Sequence, residues 1–495
     1  MECGTFSENT SKNRDGQKIQ LIETQIQLIQ MLVQLIQTQD SCIWMLVQLI
    51  SLFGGVLKKM IQNYLFYSGK SAIFARYTRT NNDEAREETV MRRLLFIGLL
   101  AVLAVMGVSA QTITQVSGTV LDRTTGKVLV GASVTGGGHT VVTNGDGYFV
   151  LKAESELKTI TVSNVGFRAQ RVRLNQLQDG ELRISLSPAT IQLQEVLVMN
   201  TNARELVMTA ISKIPKNYSQ HPELFHCFYR ETAQKRQNYI MIAEGVVDMY
   251  KSSYAYWENA DDRVAIRKGR RLLSPRKGDT LSVKVTGGPV LPIQLDIVKQ
   301  RDFLLNEEEL DCYQMQMEVP TIIGDRHQYV VSIRPRRTMP YALYYGKLYI
   351  DQETLAFTRA ELELDMKDRN KATMMMLVKK PLGVRFRPKE LSLLVDFRQD
   401  NDVTRISYIR TVFRFNCDWR RRLFATSFTA CCEMVVTGQD ATTGRPIRGR
   451  ESFDQHDAFF DKVDYFLDPV FWQDYNIIEP TESLNRAIAR IMKRL

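Results

Sequence analysis

Histidine is scarce in this chain, and the residues that form most hydrolase active sites are not arranged in known motifs. The 495 residues include five histidines, at His139, His221, His226, His327 and His456. None has glutamate three residues later, so the zinc-ligand pair of a metallocarboxypeptidase is missing, as is His-Glu-x-x-His. A Gly-x-Ser-x-Gly nucleophile elbow is also absent. We therefore predict that the protein is not an enzyme and has no catalytic, cofactor-binding or metal-ligating residues.

Nucleotide-binding loops are incomplete as well. Gly69-Lys70-Ser71 lacks the first glycine of a phosphate loop, and Gly136-x-Gly138 lacks the third glycine of a dinucleotide loop. The turn at residues 144–147, Asn-Gly-Asp-Gly, resembles half of a calcium loop but lacks the distal acidic ligand. We interpret it as a hairpin turn in which glycine takes a positive φ, and we expect no cofactor.

Cysteine is equally sparse. Five of the seven cysteines follow residue 110, at Cys227, Cys312, Cys417, Cys431 and Cys432. An odd number without paired spacing does not indicate a disulfide framework, which favours buried free thiols, although one or two bridges remain an alternative. Cys227 beside His226 could suggest a thiolate nucleophile. Neighbours on a strand point to opposite faces, however, so we favour core packing of Cys227.

The net charge of +10 and the pI of about 9.1 would permit binding to nucleic acid or to an anionic membrane. Acidic residues lie between most of the basic ones, which favours an ordinary solvated surface. The densest basic cluster is Arg267, Lys268, Arg270, Arg271, Arg276 and Lys277. We predict a solvated loop there; binding to a phosphate-rich partner such as lipopolysaccharide is the alternative.

The N-terminal residues combine a repeat with a secretory signal. In residues 1–90 the pattern x-Gln-Leu-Ile recurs at multiples of seven residues, which indicates either a coiled coil or translated tandem nucleotide repeats. Residues 91–110 have a basic start, an apolar run at 94–105 and small residues before Gln111, as in a signal peptide. Since such a signal belongs at an N-terminus, we expect translation to begin at Met91 and residues 1–90 to be an artefact of start assignment. If translation begins at Met1, residues 94–105 form an internal anchor.

Residues 115–198 alternate short β-branched runs with Gly, Asp and Asn turn signals, the pattern of a small all-β sandwich. The run Gly118…Asp122-x-x-Thr125-Gly126…Gly131-Ala132-x-Val134…Gly147-x-Phe149…Gly166-Phe167 resembles the carboxypeptidase-regulatory-like domain, a seven-stranded transthyretin-like sandwich. In metallocarboxypeptidases that domain is the non-catalytic companion. The resemblance therefore implies an architecture and not peptidase chemistry.

Residues 200–480 form the second predicted unit. Residues 203–214 have an apolar stripe typical of an amphipathic helix that Pro215 ends. Period-two stretches at 329–333, 346–350, 358–364, 391–397 and 403–413 then follow one another without helices, which predicts an antiparallel meander. The triplet Met374-Met375-Met376 is expected in a strand as core filler. Residues 225–232, 242–250 and 468–480 resemble stretches of the Bacteroidetes proteins called carboxypeptidase-like regulatory domain-containing, whose function is unassigned.

Two further patterns bear on membranes and ligands. Residues 344–351 are similar to the curved half-barrel of lipoprotein carriers, which implies a concave sheet that could hold an acyl chain. The outward strand positions carry Arg359, Glu361 and Glu363, where an outer-membrane barrel needs apolar residues. Residues 481–495 predict a basic amphipathic helix that packs on its own domain or, alternatively, lies on a membrane.

The sequence thus predicts a mainly β, exported protein of the periplasm or outer membrane. We expect a transthyretin/prealbumin-like β-sandwich followed by an α+β domain dominated by antiparallel sheet. Its expected role is a non-catalytic binding or structural module of the cell envelope. A lipid or lipoprotein carrier with a hydrophobic cavity is the main alternative, and a hydrolase is the third. Partners would be an envelope protein or a glycan or lipid ligand, with peripheral membrane contact as a further option and no nucleic acid.

Overall fold

A computed structural model of the chain describes residues 113–154, 156–174, 181–189, 202–256, 261–276, 287–376, 383–400, 402–419, 425–440, 446–465, 471–472 and 475–493. All of them belong to one compact unit, Ala110–Leu495. The predicted N-terminal extension at 1–90 and the predicted signal peptide at 91–110 lie outside the described residues.

Seven strands form the predicted β-sandwich. They are β1 (Thr114–Asp122), β2 (Ser133–Gly136), β3 (His139–Val142), β4 (Tyr148–Ala153), β5 (Thr159–Ser163), β6 (Gln170–Arg173) and β7 (Leu182–Leu186). One sheet has the order β4-β1-β7 and the other β3-β2-β5-β6. Each strand sends alternate side chains inward, so Leu182, Ile184 and Leu186 of β7 are buried while the residues between them are exposed. The prediction of a two-sheet sandwich is confirmed.

The turn at residues 144–147 joins β3 to β4 as a hairpin. The side-chain oxygen of Asn144 accepts hydrogen bonds from the backbone N–H of Asp146 and of Tyr148, and Gly147 has a φ of 74°. Glycine is favoured at that backbone angle because it has no Cβ. The Asp146 carboxylate accepts the backbone N–H of Glu482 at 2.7 Å. Asp146 therefore binds the start of the C-terminal helix.

A second, larger sheet follows. Its strands are β8 (Glu223–Lys235), β9 (Asn238–Lys251), β10 (Arg263–Leu273), β11 (Tyr313–Ile323), β12 (Arg326–Pro335), β13 (Tyr344–Asp351), β14 (Phe357–Leu364), β15 (Val384–Asp400), β16 (Val403–Trp419), β17 (Thr426–Gln439) and β18 (Asp464–Tyr465). Among the described residues their order is β11-β12-β13-β14-β15-β16-β17-β8-β9-β10-β18. Apart from the short β10–β18 pair, neighbours are antiparallel, which confirms the predicted meander.

The larger sheet has two chemically different faces, which β15 illustrates. Leu391, Leu393 and Val395 point into the main hydrophobic core, and we call this side the covered face. Ser392 and Asp396 point to the opposite side, which we call the sandwich face because the β-sandwich lies against it. Val142 of the sandwich packs there with residues of β8, β9 and β17.

Two other segments of the chain pack on the covered face. Helix α1 (Ala203–Ser212) begins at Asn202, whose side chain accepts the N–H of Arg204, and it buries Leu206 and Val207. The other cover is segment 287–312, which contains the short helices α3 (Leu291–Gln294) and α4 (Glu307–Leu310). It buries Ile293, Ile297, Val298, Leu304, Leu305 and Leu310. Each such side chain contributes about 1.5–3 kcal/mol on burial. An apolar face of this kind is stable only while something covers it.

Helix α1 ends earlier than its apolar stripe predicted. It stops at Ser212, and a separate short helix, α2 (Ile214–Asn217), has Pro215 in its first turn. Proline is tolerated there because the first N–H groups of a helix have no intrahelical partner. Pro215 therefore begins a new helix as well as ending the previous one.

Two predictions in this unit were wrong. Four residues of the basic cluster, Arg267, Lys268, Arg270 and Arg271, lie in strand β10 and not in a solvated loop, and Arg270 is buried. Arg276 is exposed outside the strand, and Lys277 lies outside the described residues. Met374, Met375 and Met376 lie in helix α5 (Arg369–Met376) and not in a strand, and Met374 is 66% exposed. In β10 the local pattern was overridden by contacts with distant residues, such as the pairing of Arg270 with Glu244.

The C-terminal residues pack on the sandwich face. Helix α6 (Glu482–Met492) starts at Thr481, whose hydroxyl accepts the N–H of Leu484. Its buried Leu484 and Ile491 contact Ile242 and Leu272 of the sheet, so its apolar side is already occupied. Among the described residues no helix is long and apolar enough to cross a membrane.

Candidate binding groove

The sandwich face carries a groove with a volume of about 470 Å³. Side chains from six adjacent strands, β11 to β16, form it because every second residue of a strand faces this side. Its polar lining residues are Glu318, Ser332, Arg334, Tyr345, Lys347, Arg359, Glu361, Glu363, Ser392 and Arg410. The groove therefore offers charges of both signs, hydroxyl groups and one aromatic ring.

The floor of the groove is held by an ion-pair network. The Arg359 guanidinium binds both carboxylate oxygens of Asp396, at 2.9 and 3.0 Å, and also Glu361 at 2.7 Å. Burial raises the pKa of Asp396 above its ordinary value, although Arg359 acts in the opposite direction. Both bonds to Asp396 come from Nη1 of Arg359, and the bond from Nε to Glu361 restrains the guanidinium further.

Two cations of the groove remain available to a ligand. Arg334 and Lys347 are exposed, and neither forms an ion pair with a carboxylate of the described residues. Tyr345 is 41% exposed beside them and donates its hydroxyl to Glu363 at 2.5 Å. An aromatic ring next to unpaired charged groups is suited to stack on and hydrogen-bond a polar ligand.

The groove continues towards the sandwich. A second recess of about 280 Å³ shares Arg410 and Val412 with it and is closed by Asn144 and Gly145 of the sandwich and by Glu479 near the C-terminus. Together the two recesses extend from β11 to β9. At about 4.8 Å between neighbouring strands, that distance across the sheet is roughly 38 Å. An extended ligand would fit this dimension better than a compact one.

A buried triad supports the end of the groove beneath the sandwich. Arg230 of β8 and Arg270 of β10 donate to the two oxygens of Glu244 on β9, at 2.7 and 3.0 Å. Burial alone would raise the pKa of Glu244, but the two guanidinium groups leave it below its ordinary value. Arg230 also donates to the carbonyl of Ile478. The triad thus ties three strands to the C-terminal segment.

A histidine between carboxylates tests the hydrolase hypothesis. His226 binds Asp248 through Nδ1 at 2.9 Å and Asp440 through Nε2 at 2.7 Å. Its hydrogen bond to Asp248 raises the pKa of His226, opposed by burial. An imidazole with both nitrogens bound to carboxylates has no free lone pair for a substrate proton. This arrangement favours a structural ion pair over a general base.

Among the described residues, Cys227 is not placed as a nucleophile beside His226. Cys227 lies in the core on the covered face while His226 lies on the sandwich face, as the alternation of a strand requires. Burial raises the pKa of the Cys227 thiol far above its usual range. All five cysteines of the described residues are free, and four of them are buried. Over the same residues no cluster of three or more His, Cys, Asp or Glu side chains could hold a metal ion.

Comparison with known proteins identifies the sandwich. Residues 116–198 match the family model of the CarboxypepD_reg-like domain. This part of the chain is similar to CarboxypepD_reg-like domains. The predicted resemblance is thereby confirmed for these residues, while the larger sheet lies outside the match. No curated protein matches the chain.

Solved structures with a distant likeness to the chain are also known. A DUF1329 family protein from Desulfovibrio piger is 9% identical to this chain. The match covers 49% of this chain and 96% of that protein, with a TM-score of 0.22. A LolA superfamily protein from Nitrosomonas europaea is 12% identical, covering 50% and 97%, with a TM-score of 0.17. A Bacteroides fragilis protein of unknown function, described as membrane-associated, is 8% identical, covering 66% and 98%, with a TM-score of 0.13. These TM-scores are too low to support an argument about fold or function.

The groove could not be located from the sequence, which yielded no site residues. Its only local signal was the run of charges at Arg359, Glu361 and Glu363, which served as evidence against a membrane barrel. The structure brings these residues together with Arg334 and Lys347 from two other strands. A charged outward face on several consecutive predicted strands is the pattern that could have indicated such a site.

Proposed function

We propose that the protein is an exported, non-catalytic binding module of the cell envelope and that its ligand lies in the groove of the sandwich face. The observation that carries this proposal is the 470 Å³ recess with unpaired Arg334 and Lys347. Its volume lies in the range of small-molecule sites, about 300–1,000 Å³. The CarboxypepD_reg-like domain acts as a wall of the groove beyond Arg410.

The lining supports a glycan chain as the ligand. An acyl chain would leave the charged groups of the groove without partners, which costs free energy. A glycan instead supplies hydroxyl groups that can donate to Glu318 and accept from Lys347, and a sugar face that can stack on Tyr345. The length of roughly 38 Å across the sheet would accommodate several sugar units.

Binding of a labelled oligosaccharide panel to the purified full-length chain tests this proposal. The panel includes neutral, acidic and amino-sugar oligomers of four to eight units, with octapeptides as the competing class. We expect Lys347→Glu to weaken glycan binding about tenfold or more, because a charge-assisted hydrogen bond becomes a repulsion. Lys371→Glu, on helix α5 outside the groove, is the matched control and should leave affinity unchanged.

Three results would oppose the proposal: no oligosaccharide binds, the two variants lose affinity equally, or octapeptides bind more tightly.

Export is tested separately by the intact mass of the mature protein from its own host. We expect a chain that begins at Gln111. A mass that begins at Met1 would contradict cleavage after Ala110.

The carrier alternative rests on the covered face. There Asp296 of segment 287–312 binds Lys251 of β9 at 2.9 Å, so one buried ion pair holds the cover against the apolar core. Displacement of that segment would expose a surface suited to acyl chains. Native mass spectrometry of the envelope-purified protein tests this function. A co-purified acyl species that increases in Asp296→Asn would favour the carrier over the glycan module.

A further inference from the structure

A separate recess lies where the sandwich meets the sheet. Its volume is about 310 Å³, and it shares no lining residue with either recess of the groove. We call it the junction pocket. It is lined by Gly138 of the sandwich and by Arg398, Asp400, Arg405, Gln439 and Asp440 of the sheet. It is large enough for one sugar-sized ligand and too polar for an acyl chain.

Arg398 is a half-buried cation at the boundary of the two domains. Its Nη1 donates to the hydroxyl of Thr140 and lies 3.4 Å from that of Thr135, both in the sandwich. Among the described residues no carboxylate forms an ion pair with Arg398. Burial lowers the pKa of its guanidinium. The charge of Asp400 offsets only part of the cost of burying Arg398, and a bound anion would offset more of it.

The other charged groups of the pocket already have partners. Arg405 binds Glu223 at 2.8 Å, and Gln439 donates to the same Glu223 oxygen at 2.9 Å. Asp440 accepts from Nε2 of His226 at 2.7 Å. Arg398 is therefore the lining cation, among the residues that the structure describes, that lacks a direct carboxylate partner.

Two carboxylates, Asp400 and Asp440, line the same pocket as Arg398. Asp400 is exposed on the same strand, two residues from Arg398, and its carboxylate pairs with no described cation. One oxygen of Asp440 binds His226 at 2.7 Å, while the side chain stays 42% exposed. Carboxylates near a bound anion repel it unless the ligand also presents hydrogen-bond donors. The pocket therefore suits a molecule with one anionic group and neighbouring hydroxyl groups.

The hairpin turn between β2 and β3 keeps the pocket open. Gly137 and Gly138 have φ values of 58° and 81°, as a two-residue hairpin turn requires. A Cβ at Gly138 would meet nothing within 4 Å, so space remains beside the turn. A ligand can therefore approach the backbone of the sandwich while it contacts side chains of the sheet.

We propose that the junction pocket binds a sugar unit that carries a carboxylate. The carboxylate pairs with Arg398, and ring hydroxyls donate to Asp400 and Asp440. This site is independent of the groove, because no lining residue is shared and Lys347 lies on β13, two strands from the β15 strand that carries Arg398. A sugar phosphate presents a similar oxyanion, so the experiment compares a sugar that carries a carboxylate with a sugar that carries a phosphate.

Calorimetric titration of the purified full-length chain with methyl glucuronide, methyl glucoside and glucose 6-phosphate tests the assignment. We expect the glucuronide to bind about tenfold or more tightly than the neutral glucoside. Arg398→Gln should weaken glucuronide binding by a similar factor, since the amide keeps a hydrogen bond to Thr140 but loses the charge. Arg387→Gln, on the same strand but paired with Asp418 at 2.8 Å, is the control and should bind normally.

A second variant keeps the proposal testable if Arg398→Gln does not fold. Gln439 is exposed and donates to Glu223, so Gln439→Lys keeps a donor there and should fold, and its added positive charge should strengthen glucuronide binding. Lys347→Glu should leave glucuronide binding unchanged, which separates this site from the groove. The assignment is overturned if the glucuronide does not bind, if the glucoside binds equally, if glucose 6-phosphate binds more tightly, or if both pocket variants bind like the wild type.

Discussion

Replacement of Lys251 by methionine should destabilise the larger sheet by about 4 kcal/mol. The Lys251 side chain is 1% exposed, and its ammonium lies 2.8 Å from Asp262 and 2.9 Å from Asp296, both 0% exposed. Methionine fills a similar volume but leaves two carboxylates in the core without this cation. Removal of one partner from a buried ion pair costs about 3–5 kcal/mol. That is a large share of the usual 5–15 kcal/mol of domain stability.

The remaining contacts explain why the loss should not be larger. Asp296 still accepts the Tyr254 hydroxyl at 2.6 Å and the backbone N–H of Val298 and of Lys299 at 3.2 Å. Lys299 lies close enough for its charge to act on both carboxylates, and burial lowers the pKa of Lys299 to about 8. This second ammonium offsets part of the negative charge and so limits the expected destabilisation.

Urea unfolding followed by circular dichroism measures the change in the unfolding free energy. Addition of Asp296→Asn to Lys251→Met should restore about 1–2 kcal/mol, because the amide keeps the hydrogen bonds but removes one unpaired charge. Arg414→Met is the control: Arg414 is 57% exposed in its pair with Glu390, so we expect a loss below about 1 kcal/mol. A loss below about 1 kcal/mol for Lys251→Met, or no recovery in the double variant, would refute the reasoning.

Two further predictions concern acidity and packing. Burial raises the pKa of Glu231 to about 7, above its ordinary 4.5. The folded state therefore keeps this proton to higher pH than the unfolded state, so its stability contribution is full below about pH 4.5 and declines by about 3 kcal/mol as pH rises through 7. Melting temperatures of Glu231→Gln should lack that decline; a profile parallel to the wild type would count against it. Gly346→Ala should cost about 2 kcal/mol or more, because its φ is 152° and the new Cβ would overlap the carbonyl oxygen of Glu361. Thermal unfolding checks this against Gly324→Ala, where φ is 57° but the space is open, and equal losses would contradict the steric argument.

Several local elements followed directly from the sequence. The Asn144 turn, the N-cap at Thr481 and strands such as Phe357–Leu364 depend on residues within a few positions of one another. Their signals are turn chemistry, capping and period-two alternation, which act through the nearby backbone. The sandwich had the further support of a family pattern, and the match to residues 116–198 agrees with it.

Strand β10 shows why other features could not be predicted. Its four basic residues within five positions resemble a solvated loop, because an isolated strand would not bury such charge. In the folded protein β10 pairs with β9, which places Arg270 opposite Glu244, and β8 brings Arg230 to the same carboxylate. The compensating charge lies 26 residues away along the chain. No local pattern contains that information.

The sequence by itself determined the alternation of each strand, and hence which side chains share a face. Only the tertiary structure decided which strands are neighbours, including the pairing of β17 with β8 across roughly 200 residues of chain. That pairing places Gln439 of β17 opposite Phe225 of β8, and both residues line the junction pocket. Local backbone geometry acts over a few residues, whereas a binding site requires side chains that are distant in sequence to lie within hydrogen-bond distance.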